Sequence, residues 1–374
     1  MKKTKQFIYL IGVFSLLFSS PAFSQGCVEA SSDDGPQLVG YIQPEFNYYL
    51  FGKDANDNAV KPSSFFFRRA RVGVVGSIPY DVSYYVMAEF SPIYTGTPFL
   101  LDAYVSWAPL GKYVKFSFGQ FKSPFGMELQ TPCFALWTVN RSLATEQLAG
   151  PYRELQFMIL GAVGKNRDVF TYKLSIMNGT GINKMDAYDV DGGNNQKDLA
   201  GRVTVAPWEF LTVGGGFRYG LWGKKDADGV AKSRTRYAAD LSFEKWNFKL
   251  QGEVLFGEDL GEIASGGGCG GKSVEATYPT YNKMGYFVQA MYMTPIRLEP
   301  VVKYEYYDPD GTEYKFYGLT QNYPQSTFTF GLNYFLNDWT RVQLNYLYNS
   351  EEATGSTVNE YDNDVFMLQV QVKF

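Results

Sequence analysis

The sequence predicts an all-β protein, a 16-stranded antiparallel transmembrane β-barrel with short periplasmic turns and long outer loops. Three observations support this fold. Most of the chain consists of segments of about 8–11 residues in which polar and apolar residues alternate. The connections between them alternate between short and long. The chain is also 17% aromatic and 19% charged, and after its first residues it has no apolar run of the ~18 residues that a transmembrane helix requires.

The alternation is clearest in three segments: "RVGVVGSI" from Arg71, "VKFSFGQF" from Val114 and "VFMLQVQVKF" from Val365. A tilted strand that spans a membrane needs ~9–11 residues, which matches these lengths. Weaker segments such as "LVGYIQPEFNYYLF" from Leu38 complete the count of 16 strands, and residues 37–374 are therefore assigned to the barrel.

Connection lengths give the orientation. Every second connection is tight, as in "IPYDV" and "LNDW". The longer ones cover residues 179–198, 222–235, 258–283 and 309–325. Alternating short turns and long loops on an even number of strands is typical of outer-membrane barrels. Tryptophans stand beside the tight turns and predict an aromatic girdle at the membrane interface; they are Trp107, Trp208, Trp246 and Trp339.

The N-terminus predicts export. Lys2, Lys3 and Lys5 precede the apolar run "FIYLIGVFSLLF" and the small residues "SSPAFSQ", so residues 1–24 are interpreted as a signal peptide and residues 25–36 as a short N-terminal segment. Cys27 leaves a lipidated N-terminus as an alternative. The mature chain would carry 31 basic and 38 acidic residues, a net charge of −7, which argues against nucleic acid as a partner.

Catalytic and metal sites find little support in the composition. The chain has no histidine, which excludes Ser-His-Asp triads and histidine metal sites. Cys27, Cys133 and Cys269 are too widely spaced for a zinc cluster, and the sequence does not show whether two of them pair. We therefore expect no enzyme activity, no cofactor and no metal. A barrel-embedded hydrolase using Glu253 and Glu305 is the remaining enzymatic alternative.

Strand parity separates two faces. Val72 and Val74 share an apolar face, which would contact lipid, whereas Arg69 and Arg71 share the polar face that would line the lumen. The predicted pore-lining, anion-binding residues are Arg69, Arg71, Lys115, Lys122, Arg202, Arg218 and Arg341. Acidic residues share the inward parity, namely Glu89, Asp102, Asp240, Glu244, Glu253, Glu299 and Glu305. These charges either select anions or pair across strands and make the wall rigid.

Residues 121–153 interrupt the strand pattern over the greatest length. Loops this long are usually functional or disordered, and this one is rich in aromatic residues. It is a candidate constriction loop that folds into the barrel; an outer cap over the barrel is the alternative.

Several of these segments together resemble the phosphate-selective porins O and P. They are residues 65–90, 102–107, 118–129, 194–207 and 330–349, with "RRAR" and "GQFKSPFG" the most specific. The resemblance implies a trimeric outer-membrane pore of a Gram-negative bacterium that passes anions by diffusion, with Arg69, Arg71 and Lys122 at motif positions. The acidic residues at inward positions depart from a purely basic path and weigh against strict phosphate selectivity.

The resulting expectation is an outer-membrane porin for small anions, with phosphate or polyphosphate as plausible solutes. A general, carbohydrate or peptide porin is the main alternative, and a structural or adhesive barrel the lesser one. The expected partners are the outer-membrane bilayer, small anionic solutes, two further copies in a homotrimer and the barrel-assembly machinery. The terminal Phe374 resembles the signal by which that machinery recognises barrels.

Overall fold

The structure, a computed structural model, describes residues 35–50, 63–95, 98–182, 197–222, 232–260, 280–316, 319–352 and 363–374. The predicted signal peptide and the segment up to residue 34 lie outside the described residues, as do Cys27 and Cys269. In the described residues, sixteen antiparallel strands form one closed barrel, which confirms the predicted fold class and strand number.

The barrel strands follow one another around the wall in chain order. Their bounds are β1 (Gln37–Tyr49), β2 (Ser63–Ile78), β3 (Val82–Glu89), β4 (Phe99–Trp107), β5 (Lys115–Lys122), β6 (Arg153–Val163), β7 (Phe170–Met177), β8 (Asp198–Trp208), β9 (Leu211–Trp222), β10 (Lys232–Lys245), β11 (Phe248–Leu260), β12 (Thr280–Tyr292), β13 (Leu298–Asp308), β16 (Gln325–Phe335), β17 (Thr340–Glu351) and β18 (Val365–Lys373). The short strands β14 (Tyr314–Phe316) and β15 (Leu319–Gln321) form a separate hairpin within the long β13–β16 connection, which the sequence did not predict.

Helical structure is sparse in the described residues. It consists of α1 (Pro92–Thr95), α2 (Met127–Gln130), the 3-10 turn Cys133–Ala135 and α3 (Leu143–Leu148). No described helix has the length and apolar character needed to cross a membrane. Three of these four elements belong to the connection between β5 and β6, which runs from residue 123 to residue 152 and is called the inner segment below.

The outer face of the barrel is apolar and the inner face polar. Val72, Phe118 and Val203 are exposed on the outside, whereas Arg69 and Gln369 are buried on the inside. In a soluble protein the apolar residues face inward and the polar residues outward. The opposite arrangement is required of a strand that lies between lipid and a polar lumen. The four tryptophans at the tight turns are all at least half exposed, as an interfacial girdle requires.

The last strand closes the barrel. β18 pairs with β1 from Tyr41↔Lys373 to Tyr49↔Val365. The Phe374 amide donates to the Gly40 carbonyl at 2.9 Å, and the Gly40 amide donates to the Phe374 carbonyl at 2.8 Å. The barrel therefore has no free edge to expose unpaired backbone groups to lipid.

Candidate functional site

The inner segment packs against the inner wall on the side opposite the strands from which it arises. The Val139 amide donates to Asn345 Oδ1 at 2.8 Å, and Asn333 Nδ2 donates to the Trp137 carbonyl at 2.9 Å. Phe125, Leu129 and other apolar residues of the segment form a buried cluster with inward-facing residues of β10, β11 and β13. These contacts are those of a loop that folds into the barrel, not of a cap over its outer end.

Glu253 on β11 binds the start of α2. Its two carboxylate oxygens accept hydrogen bonds from the amides of Met127 at 2.7 Å and Glu128 at 2.9 Å. An acidic side chain at this position satisfies amides that a helix start leaves without partners. Gly126 just before the helix has φ +71°, and a Cβ there would stand 2.6 Å from Glu253 Oε1. The "SPFG" motif therefore has a glycine where this contact requires one.

Lys122 binds the other end of the same helix. Its ammonium donates to the carbonyls of Leu129 at 2.9 Å and Thr131 at 3.0 Å. A cation at the C-terminal carbonyls of a helix is stabilising. Lys122 also lines a small recess of about 40 Å³. The geometry thus gives this motif lysine a positioning contact to the inner segment.

A third set of contacts connects the two helices of the inner segment. Glu128 accepts hydrogen bonds from the Ser142 amide at 2.8 Å and the Ser142 hydroxyl at 2.7 Å, and Lys303 Nζ lies 3.1 Å from its Oε1. Burial acts to raise the pKa of Glu128, but the Lys303 ammonium and the Ser142 hydrogen bonds outweigh it, so this pKa is lowered. Glu305 accepts from the Leu143 amide at 3.1 Å. Glu253 and Glu305 therefore both have backbone partners.

A cavity of about 340 Å³ lies between the inner segment and the inner wall of β2, β4 and β6. Five guanidinium groups line it, those of Arg68, Arg69, Arg71, Arg141 and Arg153, and we call it the arginine chamber. Of the described residues that line it, Glu146 is the one carboxylate. Since guanidinium groups bind carboxylate and phosphate oxygens through paired donors, this chamber is suited to anions.

A β-bulge adds one of these arginines. In the β1–β2 pairing, Gln43 is opposite Arg69 but Pro44 is opposite Phe67, so that Arg68 is extra. Strict alternation would place Arg68 on the lipid side with Ala70; the bulge instead allows it to line the chamber. Proline lacks the N–H that a ladder requires and is accommodated at bulges. Pro44 was the available sequence signal.

The chamber arginines differ in their partners. Arg71 is 2.7 Å from Glu89 Oε2, and Arg153 binds Asp102 through two hydrogen bonds of 2.9 and 3.0 Å. Arg69 donates to Gln43 Oε1 at 2.8 Å.

Arg141, from the inner segment, donates to the carbonyls of Glu128 and Thr131 and to Cys133 Sγ. The two carbonyls are neutral partners and do not compensate the charge of the guanidinium, so Arg141 contributes to the positive potential of the chamber. Arg141 was not predicted, because residues within an irregular loop carry no periodic signal. Arg153 was assigned to the interruption at residues 121–153, whereas it is the first residue of β6.

The environment of Cys133 is consistent with a positive potential in the chamber. It is a free, buried thiol in the chamber wall, and Arg71 and Arg141 donate to its sulfur at 3.4 and 3.3 Å. Burial acts to raise the pKa of the Cys133 thiol, but the charges of Arg141, Arg69 and Arg71 lower it well below its usual value. The anionic form of a side chain is thus favoured at this point.

The remaining predicted pore residues lie elsewhere on the inner wall. Arg202 pairs with Asp240 through two contacts, one of 2.8 Å, and Arg218, which has no exposed surface, pairs with Glu154 and Asp198 at 2.9 Å. Arg341 donates to Gln371 Oε1 at 3.1 Å, and Lys115 is the first residue of β5. None of these four lines the chamber, whereas Arg69 and Arg71 do.

A sequence profile described as "Phosphate-selective porin O and P" matches residues 40–219 and 224–374 of the chain. The chain belongs to this family. Its strands, closed barrel and apolar outer face identify it as an outer-membrane porin and so confirm the predicted location. A search of the curated proteins found no significant match.

Solved structures share the fold of this porin. The anion-selective porin from Comamonas acidovorans has a TM-score of 0.59 and 12% identity, with 91% of this chain and 99% of that chain covered. The outer membrane channel DcaP of Acinetobacter baumannii has a TM-score of 0.63 and 11% identity, with 93% and 100% covered. The in-vitro folded trimer form of OmpT from Vibrio cholerae has a TM-score of 0.55 and 13% identity, with 91% and 100% covered.

Proposed function

We propose that this porin allows passive diffusion of small anions across the outer membrane, with the arginine chamber as the part of its path that discriminates by charge. The observation that carries the proposal is the chamber lining, five guanidinium groups and the carboxylate of Glu146 among the described residues. Arg71 and Arg153 are paired with Glu89 and Asp102, so the excess positive charge comes from Arg68, Arg69 and Arg141, less the charge of Glu146. Charge that lines a narrow passage favours ions of the opposite sign, and low-dielectric walls concentrate the field.

The inner segment is the proposed constriction. It brings Arg141 from the interior of the barrel to face Arg68, Arg69 and Arg71 on β2. Without it, the β2 arginines would face a wide, water-filled lumen in which the field is screened. Lys122, Glu253 and Glu128 hold the segment in place, so they act as positioning residues. Arg202 and Arg218 are each paired with carboxylates of the wall, so we assign them a structural role that stabilises neighbouring strands.

Phosphate is one solute that the chamber could accept, since guanidinium groups offer paired donors to its oxygens. A homotrimer is proposed as the assembly, supported by the family resemblance and by the similarity to an outer membrane protein whose structure was solved in a trimer form. No observation in the described residues favours catalysis, because Glu253 and Glu305 both accept backbone amides of the inner segment.

The test is the reversal potential of the purified porin in a planar bilayer under a potassium chloride gradient, followed by phosphate competition. We expect the reversal potential to have the sign of a chloride-selective pore. We also expect added phosphate to reduce the chloride current. A potential of the potassium sign would overturn the proposal. If the pore prefers anions but phosphate does not reduce the chloride current, the proposal of an anion pore stands and phosphate is excluded as a solute.

A further inference from the structure

The lining of the arginine chamber is apolar as well as charged. Phe99 and Leu101 on β4 line the cavity together with Pro151, Tyr152 and Ile182. We call these five residues the apolar wall and the five arginines the charged wall. A phosphate path needs no such surface, because a hydrated inorganic anion gains nothing from contact with hydrocarbon. A cavity of at least ~300 Å³ that offers apolar side chains beside charged groups can take a small organic ligand.

The apolar wall depends on a second β-bulge. In the β3–β4 pairing Met87 is opposite Asp102 and Ala88 is opposite Leu100, which leaves Leu101 extra. Leu100 is 46% exposed on the lipid side, whereas Leu101 is 4% exposed and lines the chamber. A bulge thus supplies one apolar residue on β4, as the other bulge supplies Arg68 on β2. The two walls of the chamber each contain a residue that regular strands would direct to lipid.

Apolar packing continues behind the chamber lining. Leu101 packs with Val39, Val75, Tyr85 and Met87, all inward-facing residues of β1–β3 that are at most 9% exposed. Leucine, valine and methionine side chains are unexpected on the inner face of a porin, which is normally polar.

The pairing of apolar and cationic groups recurs toward the short-turn end of the barrel. The small recess there is lined by Tyr104, Phe121, Met158 and Leu160 together with the cations Lys122, Arg153 and Lys173 and the carboxylate of Asp102. Arg153 lines both the recess and the arginine chamber. Apolar and cationic side chains therefore lie together beside the chamber as well as in its lining.

From these two walls we propose that the preferred solutes are organic carboxylates that bear an aromatic or branched hydrocarbon group. The carboxylate contacts the guanidinium groups, as paired donors favour, while the hydrocarbon part covers Phe99 and Leu101. Burial of one methylene group favours binding by up to about fourfold, so affinity rises with the apolar size of the solute. This inference rests on the proposed anion pore and specifies its substrate class.

The experiment measures how strongly added anions reduce the chloride current of the full-length porin in a planar bilayer. Potassium acetate, butyrate, benzoate, gluconate and phosphate are compared. The half-inhibiting concentration should fall by about threefold or more at each step from acetate to butyrate to benzoate. Gluconate, which is larger than benzoate but polar, should inhibit no better than acetate. Equal inhibition across the carboxylates, or gluconate as strong as benzoate, would overturn the inference.

A double variant locates the effect. Phe99→Ser with Leu101→Ser should reduce the preference for benzoate, measured as the half-inhibiting concentration of acetate divided by that of benzoate, at least about threefold. Leu347→Ser is the control, because Leu347 is an inward-facing buried leucine outside the chamber lining. If the double variant does not assemble, Phe99→Ser alone carries the test, since Phe99 is only partly buried. If the preference for benzoate over acetate is unchanged in the variant, it does not depend on Phe99 and Leu101, and their assignment as the apolar contact is wrong.

The two proposals fail in different ways. A wild-type reversal potential of the potassium sign overturns the anion pore itself. An anion-selective pore that shows no dependence on the apolar size of the carboxylate overturns only the substrate class.

Discussion

Lys303 on β13 lies 3.1 Å from Oε1 of Glu128 in the inner segment, and the two side chains are 1% and 3% exposed. The same ammonium lies 3.0 Å from Glu305, which accepts the Leu143 amide. One buried lysine thus connects the barrel wall to the starts of both inner helices. This contact is one of those that hold the inner segment against the wall.

The substitution Lys303→Met tests this connection. It leaves the Glu128 carboxylate buried without its cation, and breaking a buried pair costs about 3–5 kcal/mol. The inner segment should detach from the wall, so that single-channel conductance rises and anion preference falls. The barrel itself should remain folded, as shown by its heat-dependent shift in gel mobility.

Lys249→Met is the matched control for that experiment. Lys249 also pairs with a glutamate, Glu244 at 2.8 Å, but the two side chains are 30% and 61% exposed. Exposed pairs contribute only about 0–1 kcal/mol, so conductance should not change. Equal effects of the two substitutions would contradict the role given to Lys303.

The glycine before α2 can be tested with a control of similar backbone geometry. Gly126→Ala meets two obstacles: a φ of +71° and Glu253 Oε1 at 2.6 Å from the new Cβ. Gly111→Ala meets only the first, since its φ is +57° and nothing lies within 4 Å. We expect Gly126→Ala to lower the thermal stability and anion preference more than Gly111→Ala does. Identical melting temperatures and selectivities for the two would show that the Glu253 contact is not needed.

Glu146 predicts a dependence on pH. Its side chain is 38% exposed, and partial desolvation inside the barrel raises the pKa of this carboxyl above its usual value; Glu305 and Glu128 act in the same direction, and Arg68 and Arg141 oppose them. Protonation as the pH falls removes the negative charge in the chamber lining, so anion preference should increase in mildly acidic solution. Reversal potentials between neutral and acidic pH measure this. Glu146→Gln should already show the stronger preference at neutral pH and should lose this pH dependence; a Glu146→Gln porin that retains it would contradict the assignment.

Phe374 predicts an assembly phenotype. Its backbone closes the seam with Gly40, and its side chain is 44% exposed on the lipid face. Deletion should reduce the amount of folded porin in the outer membrane, while the molecules that do insert retain wild-type selectivity. Phe118→Ala removes a lipid-facing aromatic that is 64% exposed within β5 and should have the smaller effect. Equal membrane levels for both variants would contradict a signal at the terminus.

Strand number, faces and the seam could be predicted because each depends on a period of two that the sequence displays directly. The inward positions of Arg68 and Leu101 could not be predicted, because a bulge shifts one residue to the other face without changing the composition of the strand. Arg141 could not either, because its position depends on how the inner segment folds. Arg153 was missed because the alternating pattern does not show that β6 begins at this residue. Arg202 and Arg218 satisfied the parity rule, but their partners Asp240, Glu154 and Asp198 emerge only from the register of the strands.

The central claim is that the arginine chamber sets the charge preference of this porin. The most direct measurement is the reversal potential, in a potassium chloride gradient, of the double variant Arg69→Gln with Arg141→Gln. Arg297→Gln, which removes a charge from an exposed turn, is the control. The account predicts that the double variant loses most of its chloride preference and that the control keeps it. A double variant with the wild-type reversal potential would contradict the claim.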